Sequence, residues 1–197
     1  MTATRYLYLT RHGEAVPDES TLSETGRRQA ALLGVRLRDV PLAAIYHGPL
    51  ARATESAHVI SGRLPGVPLV RSEEAGDYVP YRPGQDELPS GSTDRYLGFL
   101  ARLPAGGGAQ LAARAVARFT GPVPGDRERH ELVVTHNFLA GWLVRDALDA
   151  PRWRWLGLNH DNAALTVIRY VPGRPAQLVA FNDAGHLRPP GAPRDVR

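Results

Sequence analysis

Arg5-Tyr6-Leu7-Tyr8-Leu9-Thr10-Arg11-His12-Gly13-Glu14 is the stretch that decides the fold class. Its first six residues are short, aromatic and strand-prone, and they end at a glycine-containing turn. A histidine at a strand's end, beside an arginine and a glycine that permits close backbone approach, is placed to meet a ligand. The same design returns in Glu131-Leu132-Val133-Val134-Thr135-His136-Asn137, an apolar strand that ends at a histidine and leads into a helix. A third polar cluster, His47-Gly48-Pro49-Leu50-Ala51-Arg52, follows a strand over Leu42 to Tyr46. Arg52 falls in the first turn of the next helix, where it does nothing for the helix dipole but adds to a site that already favours anions. His47 and His58 carry no comparable signal and read as structural or surface residues.

Working outward, apolar residues at spacings of three and four predict helices over about 25–39, with Ser23 as its cap, and over 50–64. A short strand spans 67–70. Two further helices fall near 92–103 and 109–120, separated by Pro104 and Gly106-Gly107-Gly108, and another follows His136. Strands at 164–170 and 177–181, joined by Pro172-Gly173, close the pattern. Strands alternating with helices imply an α/β three-layer sandwich: a mainly parallel central sheet with helices on both faces. In such sheets ligands bind beyond the carboxyl ends of the strands, where the three polar clusters lie. One domain is expected over 1–183, with a proline- and glycine-rich loop or lid at about 75–93 and a Pro/Arg-rich surface tail over 184–197.

Composition narrows the function classes. The chain has 197 residues and no cysteine, which excludes disulfides, zinc–thiolate sites, iron–sulfur clusters and thiol nucleophiles. All 24 basic side chains are arginine, and the net charge is +4. They are scattered rather than blocked, which argues against nucleic acid, while the planar guanidinium suits phosphate oxygens. No apolar run approaches membrane-spanning length. Met1 to Thr10 runs straight into a strand with no targeting pattern, so a cytoplasmic protein is the expectation.

Taken together, these motifs resemble those of the histidine phosphatase superfamily, whose members look like phosphoglycerate mutase. Arg11-His12-Gly13-Glu14 is similar to the first signature, and Leu22 to Gly26 with Gln29-Ala30 to the segment after it. Pro49-Leu50-x-Arg52-Ala53-x-x-Ser56-Ala57 resembles the second signature, Thr135-His136-Asn137 the third, and Asn162-Ala163-Ala164 a late segment. The resemblance spans about residues 5–170.

It implies that His12 attacks phosphorus and carries a phosphohistidine. Arg11, Arg52 and a protonated His136 would surround the phosphoryl oxygens, with Asn137 also in contact, so that no metal and no cofactor is needed. A carboxylic acid after the third strand would protonate the leaving oxygen. Here the family pattern aligns with Glu74, with Glu73 and Asp77 as the other candidates. Ser23 and Thr25 are expected to touch the rest of the substrate. Trp142, Trp153 and Trp155 read as core or lid packing.

The expected activity is hydrolysis of a small phosphomonoester. The alternatives are a mutase, a phosphoprotein phosphatase or a non-catalytic phosphate-binding module. The segment 75–93 has one cation, Arg82, which favours water as the acceptor over a retained product. Neither nucleic acid nor membrane is expected as a partner, and a homodimer stays open.

Overall fold

The computed structural model describes residues 1–188. In chain order its elements are β1 (Thr2–Ala3), β2 (Arg5–Arg11), α1 (Glu24–Arg36), β3 (Leu42–His47), α2 (Ala51–Ser61), β4 (Leu69–Arg71), α3 (Thr93–Ala101), α4 (Gly108–Phe119), β5 (Val123–Pro124), β6 (Arg129–Thr135), α5 (Asn137–Ala147), β7 (Leu165–Tyr170) and β8 (Gln177–Asp183). The central sheet has six strands in the order β4-β3-β6-β2-β7-β8. The first four run parallel, and β7 and β8 pair antiparallel at one edge. This is the α/β architecture expected of the sequence.

The period of two in the strands sorts their side chains between two cores. Leu7, Leu9, Val133 and Ile168 face α4 and α5, where Ala112, Ala115, Phe119, Leu139 and Leu143 meet them. Leu132, Val134, Ile45 and Leu165 face α1 and α2, against Ala30, Leu33, Ala57 and Ile60. Burial on both faces is why β6 reads as a continuous apolar run rather than an alternating one.

Register does the rest. Because β2 and β6 are adjacent and parallel, Thr10 pairs with Val134 and Arg11 with Thr135. The next residue on each strand is a histidine, so two rings far apart in sequence emerge side by side.

The tight turn after β2 is built on glycines. A Cβ on Gly13 would run into the Gly26 carbonyl, and one on Gly26 into the Glu14 carbonyl. The first turn of α1 therefore sits directly on the backbone of the signature loop.

The expected loop at 75–93 lies against the body: Ala75 and Leu88 are buried, and Tyr78, Val79 and Tyr81 pack on the core. Residues 184–188, expected to begin a surface tail, dock on the body: Gly185–Leu187 form a 3-10 turn and His186 Nε2 lies 3.0 Å from the Ala163 carbonyl. The remainder of the expected tail, 189–197, lies outside the described residues.

Candidate active site

The carboxyl ends of β2, β3 and β6 open onto a hollow of about 350 Å3, lined in part by Arg11, His12, Arg52, His136 and Asn137. Each residue arrives there for a local reason. His12 is anchored through its backbone, its N–H donating to the Thr135 carbonyl at 2.9 Å and its carbonyl accepting from Asn162 Nδ2 at 2.9 Å. Its Nδ1 lies 2.7 Å from the Gly13 carbonyl, which requires the proton on Nδ1 and leaves Nε2 with a free lone pair. Arg52 sits in the first turn of α2, and its Nε–H donates to that Nε2 at 3.2 Å. Arg11 donates to the His160 carbonyl at 3.2 Å, and the His160 N–H donates to Asn137 Oδ1 at 2.7 Å, so one loop braces both residues.

His136 stands 5.0 Å from His12, ring centre to ring centre, and both its nitrogens are buried without a hydrogen-bond partner. It is the N-cap of α5, and the Asn137 and Phe138 that line the hollow belong to that helix's first turn. Backbone N–H groups at such a position have no intrahelical partner and favour an anion.

Electrostatics reinforce the point. Burial pushes His12 down to about 3, with His136, Arg11 and Arg52 adding to the effect. Burial, then Arg52 and Arg11, push His136 down to about 3 as well. Beside two guanidinium groups and cut off from water, this ring by itself favours its neutral form. A phosphoryl anion placed between them reverses that balance and favours a proton on His136.

His160, also buried, is lowered to about 4. In an unfolded chain all three histidines would titrate near 6.5. Between those values the unfolded state binds more protons, so stability is complete above about pH 6.5 and falls as pH drops toward 4 and then 3. Each ring contributes up to about 1.4 kcal/mol per pH unit in that window. Melting temperatures measured at pH 7.5 and 5 should drop accordingly, and His136→Asn should flatten the difference.

The acidic residues are arranged differently from expectation. The Glu74 carboxylate accepts from Ser72 Oγ at 2.6 Å and pairs with Arg114 at 3.4 Å, so it is engaged away from the hollow. The Ser72 hydroxyl, followed by other local contacts, holds it below the usual carboxylate range. Glu73 pairs with Arg71 on the exposed side.

Asp77 is the one of the three that lines the hollow: its Oδ2 accepts from Arg52 Nη2 at 2.8 Å and lies 3.6 Å from His136 Nδ1. Glu19, which the sequence reading did not single out, also lines it, with Oε2 3.4 Å from Arg52 Nη2. Nothing in its loop marked it. It sits exposed at the mouth, with a φ of +58° in a loop held by Glu55 through Thr21 and the Leu22 N–H.

Ser23 and Thr25 do not line the hollow. Ser23 caps α1 by accepting from the Gly26 N–H at 3.0 Å and donates to Glu14 at 2.7 Å, and Thr25 is exposed. Among the described residues no cluster of three or more His, Asp or Glu side chains could hold a metal ion. No helix among them is long and apolar enough to cross a membrane.

A family model described as histidine phosphatase superfamily (branch 1) matches residues 7–184. The chain is 30% identical to the serine/threonine-protein phosphatase Pgam5, mitochondrial, of Caenorhabditis briggsae over 95% of its own length, and 29% identical to PGAM5 of Homo sapiens, also over 95%. It spans 66% and 65% of those relatives' lengths. Among solved structures, YhfR of Bacillus stearothermophilus superposes with a TM-score of 0.67 at 27% identity, covering 93% of this chain and 100% of that one. Mycobacterial hydrolase 1 shares the fold, with a TM-score of 0.68 at 22% identity over 91% and 98%.

The expected cytoplasmic location is overturned by these relatives, whose names place them in mitochondria. That expectation rested on ten residues, most of which belong to β2 and serve the fold.

Proposed function

The chain belongs to branch 1 of the histidine phosphatase superfamily, and from that premise we propose that it hydrolyses phosphomonoesters through a phosphohistidine on His12. One observation carries this reading: a single guanidinium, Arg52, joins His12 Nε2 on one side to the Asp77 carboxylate on the other. Nucleophile, anion-binding group and proton carrier thus share one hollow.

The His12 Nε2 lone pair attacks phosphorus while the bond to the ester oxygen breaks opposite to it. Arg11, Arg52 and the α5 N-terminus take the equatorial oxygens, and His136 joins them by accepting a proton. Most of the acceleration in phosphoryl transfer comes from such positioning and charge stabilisation. As phosphate draws Arg52 to itself, Asp77 is freed to carry a proton to the ester oxygen. Asp77 passes it to the leaving alkoxide, then takes one from the water that attacks phosphohistidine, releasing inorganic phosphate and restoring His12.

Water rather than a retained product is the proposed acceptor. Arg82, the one cation of the 75–93 segment, spends its guanidinium on the carbonyls of Leu100, Leu103 and Pro104 and is not among the residues lining the hollow. A second reading, hydrolysis of phosphoserine or phosphothreonine in a protein, is favoured by the relatives at 29–30% identity that bear that name.

The proton donor provides the test. Asp77→Asn should lower turnover of an alkyl phosphate by roughly 10²-fold or more, because an alkoxide needs a proton to leave. The same variant should cost little with 4-nitrophenyl phosphate, whose leaving group needs none. Glu74→Gln should leave both rates close to wild type; the reverse pattern would return the role to Glu74. A phosphoserine peptide in the same assay decides the second reading.

A further inference from the structure

Beyond the phosphate hollow, α3 and its C-cap residue carry Arg95, Phe99 and Arg102 at spacings of four and three; the C-cap keeps helical dihedrals, which sets the three along one helical stripe. That stripe forms a wall of a second cavity of about 460 Å3, whose other sides include Tyr96, Phe138 and Trp155. The volume lies in the range of small-molecule sites, roughly 300–1,000 Å3.

The two cavities share a wall: Asn137 and Phe138 line both. Phe138 is held edge-on against Phe99, centroids 5.9 Å apart, and against Trp155 at 5.1 Å, so the aromatic wall is fixed by its own packing. Trp155 Nε1 donates to the Tyr81 carbonyl at 3.1 Å, which locks the indole. Asn137 is fixed too, its amide donating to Asn159 Oδ1 at 3.1 Å.

Arg95 and Arg102 have no carboxylate within ion-pair distance among the described residues, unlike Arg5, Arg27, Arg36 and Arg52. Two helical turns separate them, about 10 Å along the axis. A third cavity, of about 270 Å3, also adjoins Phe138, but its one charged lining residue is Asp77. A leaving group that carries an anion is therefore steered away from that side and toward α3.

Resting on the hydrolysis of phosphomonoesters argued above, we propose that the α3 cavity is the subsite for the leaving group, and that it takes a flat, apolar alcohol bearing a carboxylate or similar anion. The ring packs against the wall of Phe99, Phe138 and Trp155, and the anion meets Arg95 and Arg102. The sequence reading found no recognition code in this helix pair; the code is the Arg-Phe-Arg stripe, legible only once Phe138 is known to face it.

The test uses 2-naphthyl phosphate, 6-carboxy-2-naphthyl phosphate and the free 6-hydroxy-2-naphthoate. Both arginines are exposed, so Arg95→Ala/Arg102→Ala should fold, which its melting curve will verify. In that variant kcat/KM for the carboxylated ester should fall about tenfold, the sum of two exposed ion pairs, while the neutral ester changes less than about twofold. Fluorescence titration of 6-hydroxy-2-naphthoate should show the same loss of affinity, and Arg95→Glu/Arg102→Glu should deepen it.

Turnover of both esters with equal sensitivity, or none, to the arginines would overturn the subsite and leave the hydrolase standing. Arginine-dependent binding of the naphthoate with no turnover of either ester would do the opposite.

Discussion

His12→Ala is expected to abolish phosphate release, by a factor on the order of 10⁴ or more, without unfolding the protein. The contacts that hold this residue in place run through its backbone, to Thr135 and from Asn162, and alanine keeps them. The one hydrogen bond from the ring to the main chain goes to the neighbouring Gly13 carbonyl. What disappears is Nε2, the one nitrogen whose lone pair faces Arg52 and the hollow.

Removing a buried ring held near 3 also removes a protonation penalty, so the variant should lose less stability than wild type between pH 7 and 5. Rapid quench with a 32P-labelled phosphoester supplies the direct readout. Wild type should yield an acid-labile, alkali-stable protein label, and His12→Ala none. Persistent labelling or turnover in the variant would place the nucleophile elsewhere.

Arg52→Ala should cost roughly 10² to 10³ in kcat/KM, the range seen when one preorganised charge-stabilising donor is removed. Arg52 is only 8% exposed and contacts His12, Asp77 and Glu19 from three of its nitrogens. Its loss withdraws two donors from the phosphoryl oxygens and leaves two carboxylates facing the incoming dianion, so KM should rise as well as kcat fall.

Lysine restores charge but not the fork, since one ammonium cannot face His12 Nε2 and the Asp77 carboxylate together. Arg52→Lys should therefore recover only a small part of the activity. Stability should change little, because the Asp77 side chain is 32% exposed and its charge can be hydrated once unpaired. Steady-state kinetics on all three proteins, with thermal melts alongside, separates these effects. Recovery to near wild-type rates by lysine would mean that charge alone matters at this position.

The strands of the central sheet and the helices, their bounds to within a few residues, and the histidines and arginines at strand ends were legible in the chain, whereas the two-residue strands β1 and β5 were too short to show a period. Each depends on a local regularity: a period of two or of about 3.6, or a glycine at a forced turn. Gly13, read as a point of close backbone approach, is an example; that Gly26 is what approaches it came from the fold.

Which carboxylate faces the hollow was not legible, because 72–92 has no period to orient it. There the direction of each side chain follows from partners brought up by the fold: Ser72 and Arg114 turn Glu74 away, and Arg52 draws Asp77 in. The surroundings of His136 were hidden for a related reason, since burial and two guanidiniums from β2 and α2, rather than its neighbours in sequence, lower its proton affinity. Patterns within one element specify that element and its end. Contacts between elements, which no local spacing encodes, decide which groups meet across the hollow and with what charge.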